Sequence, residues 1–72
     1  MHNYTGQKVR LIVEQFSFNE DRFINAGTEG AIHGQYSEEV KVNGKLLPRM
    51  FAVSFPGISA ALLVPVEFVK LL

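Results

Sequence analysis

The stretch EEVKVNGKLLPRMFAVSF, residues 38–55, carries the strongest local structural signal in the chain. Asn43 and Gly44 stand between VKV and KLL, and Asn-Gly is a favoured pair for a two-residue β-hairpin turn. Pro48 has no N–H to donate to a neighbouring strand, which predicts an edge or a break at that position. The segment therefore predicts two antiparallel strands joined by a tight turn.

Strand signals also precede this hairpin. Residues 8–13, KVRLIV, alternate and are rich in β-branched side chains, a pattern typical of a strand. Within INAGTEGAIHGQY, residues 24–36, Gly27 permits the positive φ of a turn, and Gly30 allows a close backbone approach at the start of the next strand. Gly34 predicts a kink within that strand.

The segment between these two strands, residues 14–27, is less regular. It contains Phe16, Phe18 and Phe23 at spacings that fit neither a helix nor a strand. We expect a long ordered loop pinned by one or two of these rings, and a single helical turn over residues 18–23 is the alternative.

The C-terminal part predicts further strands. After a Pro-Gly turn, residues 58–64 read as a fourth strand, residues 65–68 as a single turn and residues 69–72 as a closing strand. One long helix over this part is disfavoured because Pro65 would lie in its interior, at a cost of about 3 kcal/mol.

In a chain of 72 residues, these elements predict one all-β domain over residues 1–72, a small five-stranded barrel or sandwich with a long first loop and an Asn-Gly hairpin. Residues 1–7 precede the first strand and are expected to be flexible. The chain has no cysteine, so disulfides and thiolate zinc sites are excluded. It shows neither a signal peptide nor an apolar span of about 20 residues, so we expect a soluble cytoplasmic protein.

The order of these elements resembles the SH3-like small barrels. KVRLIV, GTEGAI, NGK ahead of FAVSF, and LLVPVEFVKLL carry the resemblance, which covers roughly residues 8–72. Within this group the chain is similar to the variable chain of ferredoxin–thioredoxin reductase and to the small barrel protein of photosystem I that helps ferredoxin dock. The resemblance implies a non-catalytic accessory that sits on another protein and contributes no iron–sulfur ligands. The chain departs from both proteins in its segment 14–27 and in lacking a strongly basic surface.

Charge and chemistry exclude several functions. Seven basic residues balance seven acidic ones, so no overall electrostatic attraction draws the chain to nucleic acid. His2 and His33 have no neighbours at the spacing of metal motifs. The acid pairs at residues 20–21 and 38–39 read as solvated loop groups, and no nucleophile motif is present. We therefore expect no enzyme activity, no metal, no cofactor and no membrane partner.

Aromatic and apolar residues suggest a docking surface instead. We expect Phe23, Phe68 and one or both of Phe51 and Phe55 to lie in the core. Other apolar side chains exceed what a small barrel buries. The candidate partner-binding residues are Phe16, Phe18, Tyr36, Met50, Leu62 and Leu63.

These residues predict a protein-binding accessory or inhibitory module with a protein partner or a second copy of itself. An inhibitor of a host protein encoded by a phage or mobile element is one alternative. The other is a nucleic-acid-binding barrel of ribosomal or transcription-factor type, with Tyr36 or Phe51 stacking on bases. Its phosphate contacts would come from Lys8, Arg10, Lys41, Lys45 and Arg49.

Overall fold

The structure, a computed structural model, describes residues 3–72, without the side chains of residues 36–40, 42, 45 and 46. Its class is all-β, as predicted. The strands are β1 (Lys8–Leu11), β2 (Gln15–Ser17), β3 (Arg22–Ile24), β4 (Glu29–Val42), β5 (Lys45–Ser54), β6 (Leu62–Pro65) and β7 (Val69–Leu71). A single 3-10 turn, Val66–Phe68, separates β6 from β7, where a single turn was predicted.

The strands form a curled antiparallel sheet of five, in the order β6-β5-β4-β1-β7, and a separate two-stranded sheet, β2-β3. The larger sheet is a half-barrel, consistent with a small SH3-like barrel. The pairing of β4 with β5 shifts register between Ile32 and Gly34 and again between Tyr36 and Glu39. Such irregularities commonly bend a strand, and the first lies next to Gly34, where a kink was predicted.

The Asn-Gly hairpin between β4 and β5 is confirmed. Asn43 and Gly44 have φ values of 50° and 81°, and both must be positive in a type I′ turn. Val42 and Lys45 pair on either side of them. Pro48 is buried in β5, where its register partner is Glu39 of β4. The register of β5 with β6 covers Met50–Val53. Among the described pairings, Pro48 therefore has no partner in β6 that would require the N–H that proline lacks.

The core lies inside the curl of the larger sheet. Phe51 and Val53 are fully buried and Phe55 nearly so, which confirms the expectation that Phe51 and Phe55 lie in the core. Val9 of β1 and Val64 of β6 are buried beside them. The core is thus built from strands far apart in the sequence.

Two glycines behave as the sequence predicts. Gly27 has a φ of 94° in the turn before β4. A Cβ at Gly30 would lie 2.5 Å from the carbonyl oxygen of Ser54 and 2.9 Å from Cδ1 of Phe55. Because such distances are too short for a real side chain, β4 and β5 can approach this closely only with glycine at position 30.

The predicted strand over residues 58–64 is wrong in its first half. Residues 59 and 60 form a bend, residues 58 and 61 have no regular structure, and β6 begins only at Leu62. Residues 59–61 are Ser-Ala-Ala, which have low strand propensity. In addition, the Ser59 hydroxyl donates a 2.9 Å hydrogen bond to Glu20 Oε2. The segment is thus attached to the β2-β3 hairpin rather than to β5.

The long connection between β1 and β4 contains a β-hairpin, neither a loop without regular structure nor a helical turn. Phe16 pairs with Phe23 across it, and Asp21 adopts a φ of 52° in the turn. The sequence did not reveal these two strands, because the hairpin turns its aromatic residues outward and buries Ser17 and Ile24. Hydrophobicity therefore marks the exposed face here, the reverse of the usual pattern.

Residues 3–7 contact the larger sheet. The Gly6 N–H donates to the carbonyl of Ile32 at 2.7 Å, and the Ile32 N–H donates to Gln7 at 2.8 Å. The Tyr4 ring meets Phe51 edge-on at a centroid distance of 5.7 Å. Flexibility of residues 1–7 stays a prediction. Across residues 3–72, no helix is long and apolar enough to cross a membrane.

Candidate docking surface

Three phenylalanines cover the outward face of the β2-β3 hairpin, and we call them the aromatic patch: Phe16, Phe18 and Phe23. The Phe16 ring meets Phe18 at 4.9 Å and Phe23 at 5.0 Å between centroids, both edge-on. Phe18 is 86% exposed and Phe23 60%. The expectation that Phe23 belongs to the core is therefore wrong, because its strand position faces away from it.

The opposite face and the turn of the hairpin attach the patch to the rest of the molecule. Ser17 and Ile24 are buried, and the Ser17 hydroxyl accepts a 3.3 Å hydrogen bond from the Glu20 N–H. The Arg22 guanidinium donates to the Gly57 carbonyl at 3.1 Å. The aromatic patch thus stands on a hairpin that is fixed to residues 57–59.

A groove of about 420 Å³ runs between this hairpin and the segment that leads into β6. We call it the β2-β6 groove. Leu62 is half-buried and Leu63 is 55% exposed on its β6 side. Its lining residues are Gln15, Phe16, Ser17, Phe18, Asn19, Ala60, Ala61, Leu62 and Leu63. Two regions that lie more than forty positions apart in the sequence therefore form one apolar surface.

The structure brings together four of the six predicted partner-binding residues in this groove: Phe16, Phe18, Leu62 and Leu63. Met50 is half-buried in β5, where its register partners are Tyr36 and Pro65. It does not line the groove. The side chain of Tyr36 lies outside the described residues. Sequence reasoning missed Ala60 and Ala61, whose small side chains leave room for the groove.

A second cleft, of about 460 Å³, shares no lining residue with the β2-β6 groove. Ile12 is half exposed at its mouth, and Val66 and Val69 are buried in its wall. Asn43, Glu67 and Lys70 add polar groups to the lining. In the sequence, the feature that could have indicated this cleft is Ile12, an apolar residue directly after the inward-facing Leu11.

Four of the five basic residues named for the nucleic-acid alternative have described side chains. Lys8, Arg10, Lys41 and Arg49 are exposed, and the side chain of Lys45 lies outside the described residues. Arg10 Nη2 is 3.0 Å from Glu29 Oε2, so an acidic group accompanies this cation. Phe51 is fully buried, which overturns its proposed role in stacking on bases.

The described side chains were also compared with the requirements of a metal site. Residues 3–72, less the side chains not described, contain no group of three or more His, Cys, Asp or Glu arranged to hold a metal ion. His33 is exposed on β4, and His2 lies outside the described residues. Glu20 is half-buried and accepts the Ser59 hydrogen bond, whereas Asp21 is exposed.

Comparisons with protein-family models, with curated proteins and with solved structures found no match to this chain. Its similarity to the ferredoxin–thioredoxin reductase variable chain therefore stays a prediction drawn from sequence pattern. The functional proposal below is therefore based on the exposure and packing of the surface residues.

Proposed function

We propose that the chain is a non-catalytic protein-binding module, accessory or inhibitory, that docks on a larger protein through the aromatic patch and the β2-β6 groove. A single observation carries this proposal. Phe18 is 86% exposed and packs edge-on against Phe16, beside a groove whose far wall exposes Leu63. Contiguous exposed apolar surface on a small domain is typical of an interaction site.

The energetics favour docking through these rings. Removing apolar surface from water gains about 25 cal/mol per Å², and aromatic side chains are frequent among the residues that dominate binding energy. Ser17 and Ile24 anchor the hairpin from below. An anchored hairpin loses less conformational entropy on binding than a mobile loop does. A larger share of the free energy gained from apolar burial then appears as binding affinity.

The charge balance supports apolar rather than electrostatic recognition. The net charge is zero, so long-range attraction contributes little to the encounter with a partner. A complex that depends on apolar burial is expected to survive high salt, whereas phosphate contacts weaken steeply with salt. Salt resistance therefore separates the proposed function from nucleic-acid binding.

The test is affinity capture from a native lysate with the tagged full chain, washed at low and then high salt, with nuclease treatment as a parallel arm. We expect a stoichiometric protein that is retained at high salt and is insensitive to nuclease. Phe18→Ser and Leu63→Asp should each weaken binding of the purified partner at least about tenfold, which corresponds to about 1.4 kcal/mol.

Ile12→Asp is the matched control, because Ile12 is 50% exposed and Leu63 is 55% exposed, yet Ile12 lies outside the groove. Equal losses from Ile12→Asp and Leu63→Asp would contradict docking at the groove. Capture of nucleic acid that is released by salt would contradict the proposal as a whole. Adding the chain to the purified partner separates the two roles, since an inhibitor lowers the partner's activity and an accessory does not.

A further inference from the structure

We propose that the β2-β6 groove binds an extended polypeptide strand of the partner, which pairs with the free edge of β6 and carries apolar side chains alternating with lysine or arginine. This inference rests on the proposed function and specifies the form of the ligand. It derives from the edge position of β6, the alternation of exposure along it and the charge around the groove.

β6 lies at one edge of the larger sheet, with β5 as its neighbour. An edge strand presents backbone N–H and C=O groups that another strand can pair with, and strand addition is a recurring mode of peptide recognition. The groove is lined by the first two residues of β6, Leu62 and Leu63, and by all three residues of β2. No backbone pairing joins β2 to β6 in the described part of the chain. The space between the two strands can therefore take a strand of a partner.

The side chains of β6 alternate as a half-buried strand should. Val64 is fully buried, whereas Leu63 is 55% exposed. Successive side chains of a strand point to opposite faces, and those on one face contact their cross-strand neighbours. Every second side chain of an added strand would therefore share the face of Leu63. Apolar side chains at these positions would be covered by Phe16 and Phe18.

Charge favours lysine or arginine in the added strand. The lining of the groove contains no charged residue. Beside it, Glu14, Glu20 and Asp21 outnumber the one cation of the hairpin, Arg22, whose guanidinium donates to the Gly57 carbonyl. Glu14, directly before the hairpin, and Asp21, in its turn, are exposed. Opposite charges beside the groove would fix the register of a bound segment, while burial of its apolar side chains would supply most of the affinity. Apolar positions alternating with basic ones are complementary to this groove.

The same charge disfavours a second copy of this chain as the occupant. A twofold contact uses the same surface on both copies. Pairing of two β6 edges would therefore bring two acidic hairpins toward one another. An extended partner segment with basic residues avoids this repulsion.

The test uses a phage-displayed library of random linear peptides, panned on the immobilised full chain after depletion on the Leu63→Asp variant. We expect enriched peptides to alternate apolar residues with lysine or arginine. A synthetic enriched peptide should shift the amide NMR signals of residues 15–18 and 62–64 most, and slow hydrogen exchange on β6. Methylation of alternate backbone nitrogens in that peptide should weaken binding at least tenfold.

Three outcomes would overturn the inference. The first is a library selection that enriches acidic or proline-rich peptides, or that enriches no peptide. The second is a set of NMR shifts centred on Ile12 and Val69. The third is a dimer, detected by sedimentation, that the Leu63→Asp substitution dissociates. Ile12→Asp should leave peptide affinity unchanged, and Leu63→Asp should abolish detectable binding. A captured protein that needs Phe18 and Leu63 but leaves hydrogen exchange on β6 unchanged would keep the proposed function and eliminate strand addition. Peptide binding at β6 without any captured protein would keep strand addition and eliminate the proposed docking on a larger protein.

Discussion

Phe16 and Phe23 face each other across the β2-β3 hairpin, with ring centroids 5.0 Å apart and ring planes at 72°. Edge-to-face pairs of this kind contribute about 0.5–1.5 kcal/mol beyond the burial of their surface. Both rings lie on the face away from the core, with Phe18 against Phe16. The aromatic patch thus helps to stabilise the hairpin that presents it, and shape and binding surface depend on the same side chains.

Phe16→Ala is expected to loosen the hairpin without unfolding the larger sheet. The substitution removes both edge-on contacts of the Phe16 ring, with Phe18 and with Phe23. Hydrogen exchange of the amides in residues 15–24 should become at least several-fold faster, while exchange in β4 and β5 stays unchanged. Phe18→Ser removes only one of these two contacts, so it should accelerate exchange of the same amides less than Phe16→Ala does. Uniformly faster exchange throughout the chain would show that the hairpin does not open independently.

Phe51→Ala is expected to destabilise the whole domain. Phe51 is fully buried and meets Tyr4 edge-on, and truncation of a buried phenylalanine costs about 3–5 kcal/mol. Chemical denaturation followed by circular dichroism measures the loss. A small domain has little stability in reserve, so the variant should be largely unfolded at physiological temperature. A loss below about 1 kcal/mol would indicate that Phe51 is not the centre of the core.

Gly30→Ala and Gly27→Ala form a matched pair. At Gly30 the added Cβ would lie 2.5 Å from the Ser54 carbonyl oxygen, so the backbone of β4 and β5 must separate, at a cost of about 1–3 kcal/mol. At Gly27 nothing lies within 4 Å, and the penalty is the positive φ alone, about 1 kcal/mol. Thermal unfolding should rank Gly30→Ala as the less stable variant. The reverse order would argue against the close approach of the two strands.

The double variant Lys41→Ala and Arg49→Ala is expected to keep its affinity for the captured protein. Both side chains are exposed, and neither lines the β2-β6 groove. Binding measured at two salt concentrations should show the same shallow dependence as the unmodified chain. A large loss of affinity, or a steep fall with salt, would move the interaction to the basic residues and favour the nucleic-acid alternative.

Local backbone chemistry explains which parts of the fold the sequence predicts. Asn43 and Gly44 form the expected turn because both adopt a positive φ, a preference that belongs to those residues themselves. Gly27 also adopts a positive φ, which glycine permits. The inward face of β5 was also predictable, since Phe51, Val53 and Phe55 alternate within a single strand. Each of these features depends on residues within a few positions of one another.

The sequence by itself determined the all-β class, the turns and the apolar residues available for docking. Only the tertiary structure decided how they are arranged. Ser59 binds Glu20 across 39 positions, which draws residues 58–61 away from the strand that their apolar character suggested. Phe23 faces solvent because its neighbour Ile24 is the residue that reaches the core. Long-range packing chooses which face of a short hairpin is buried, and no local pattern of hydrophobicity contains that choice.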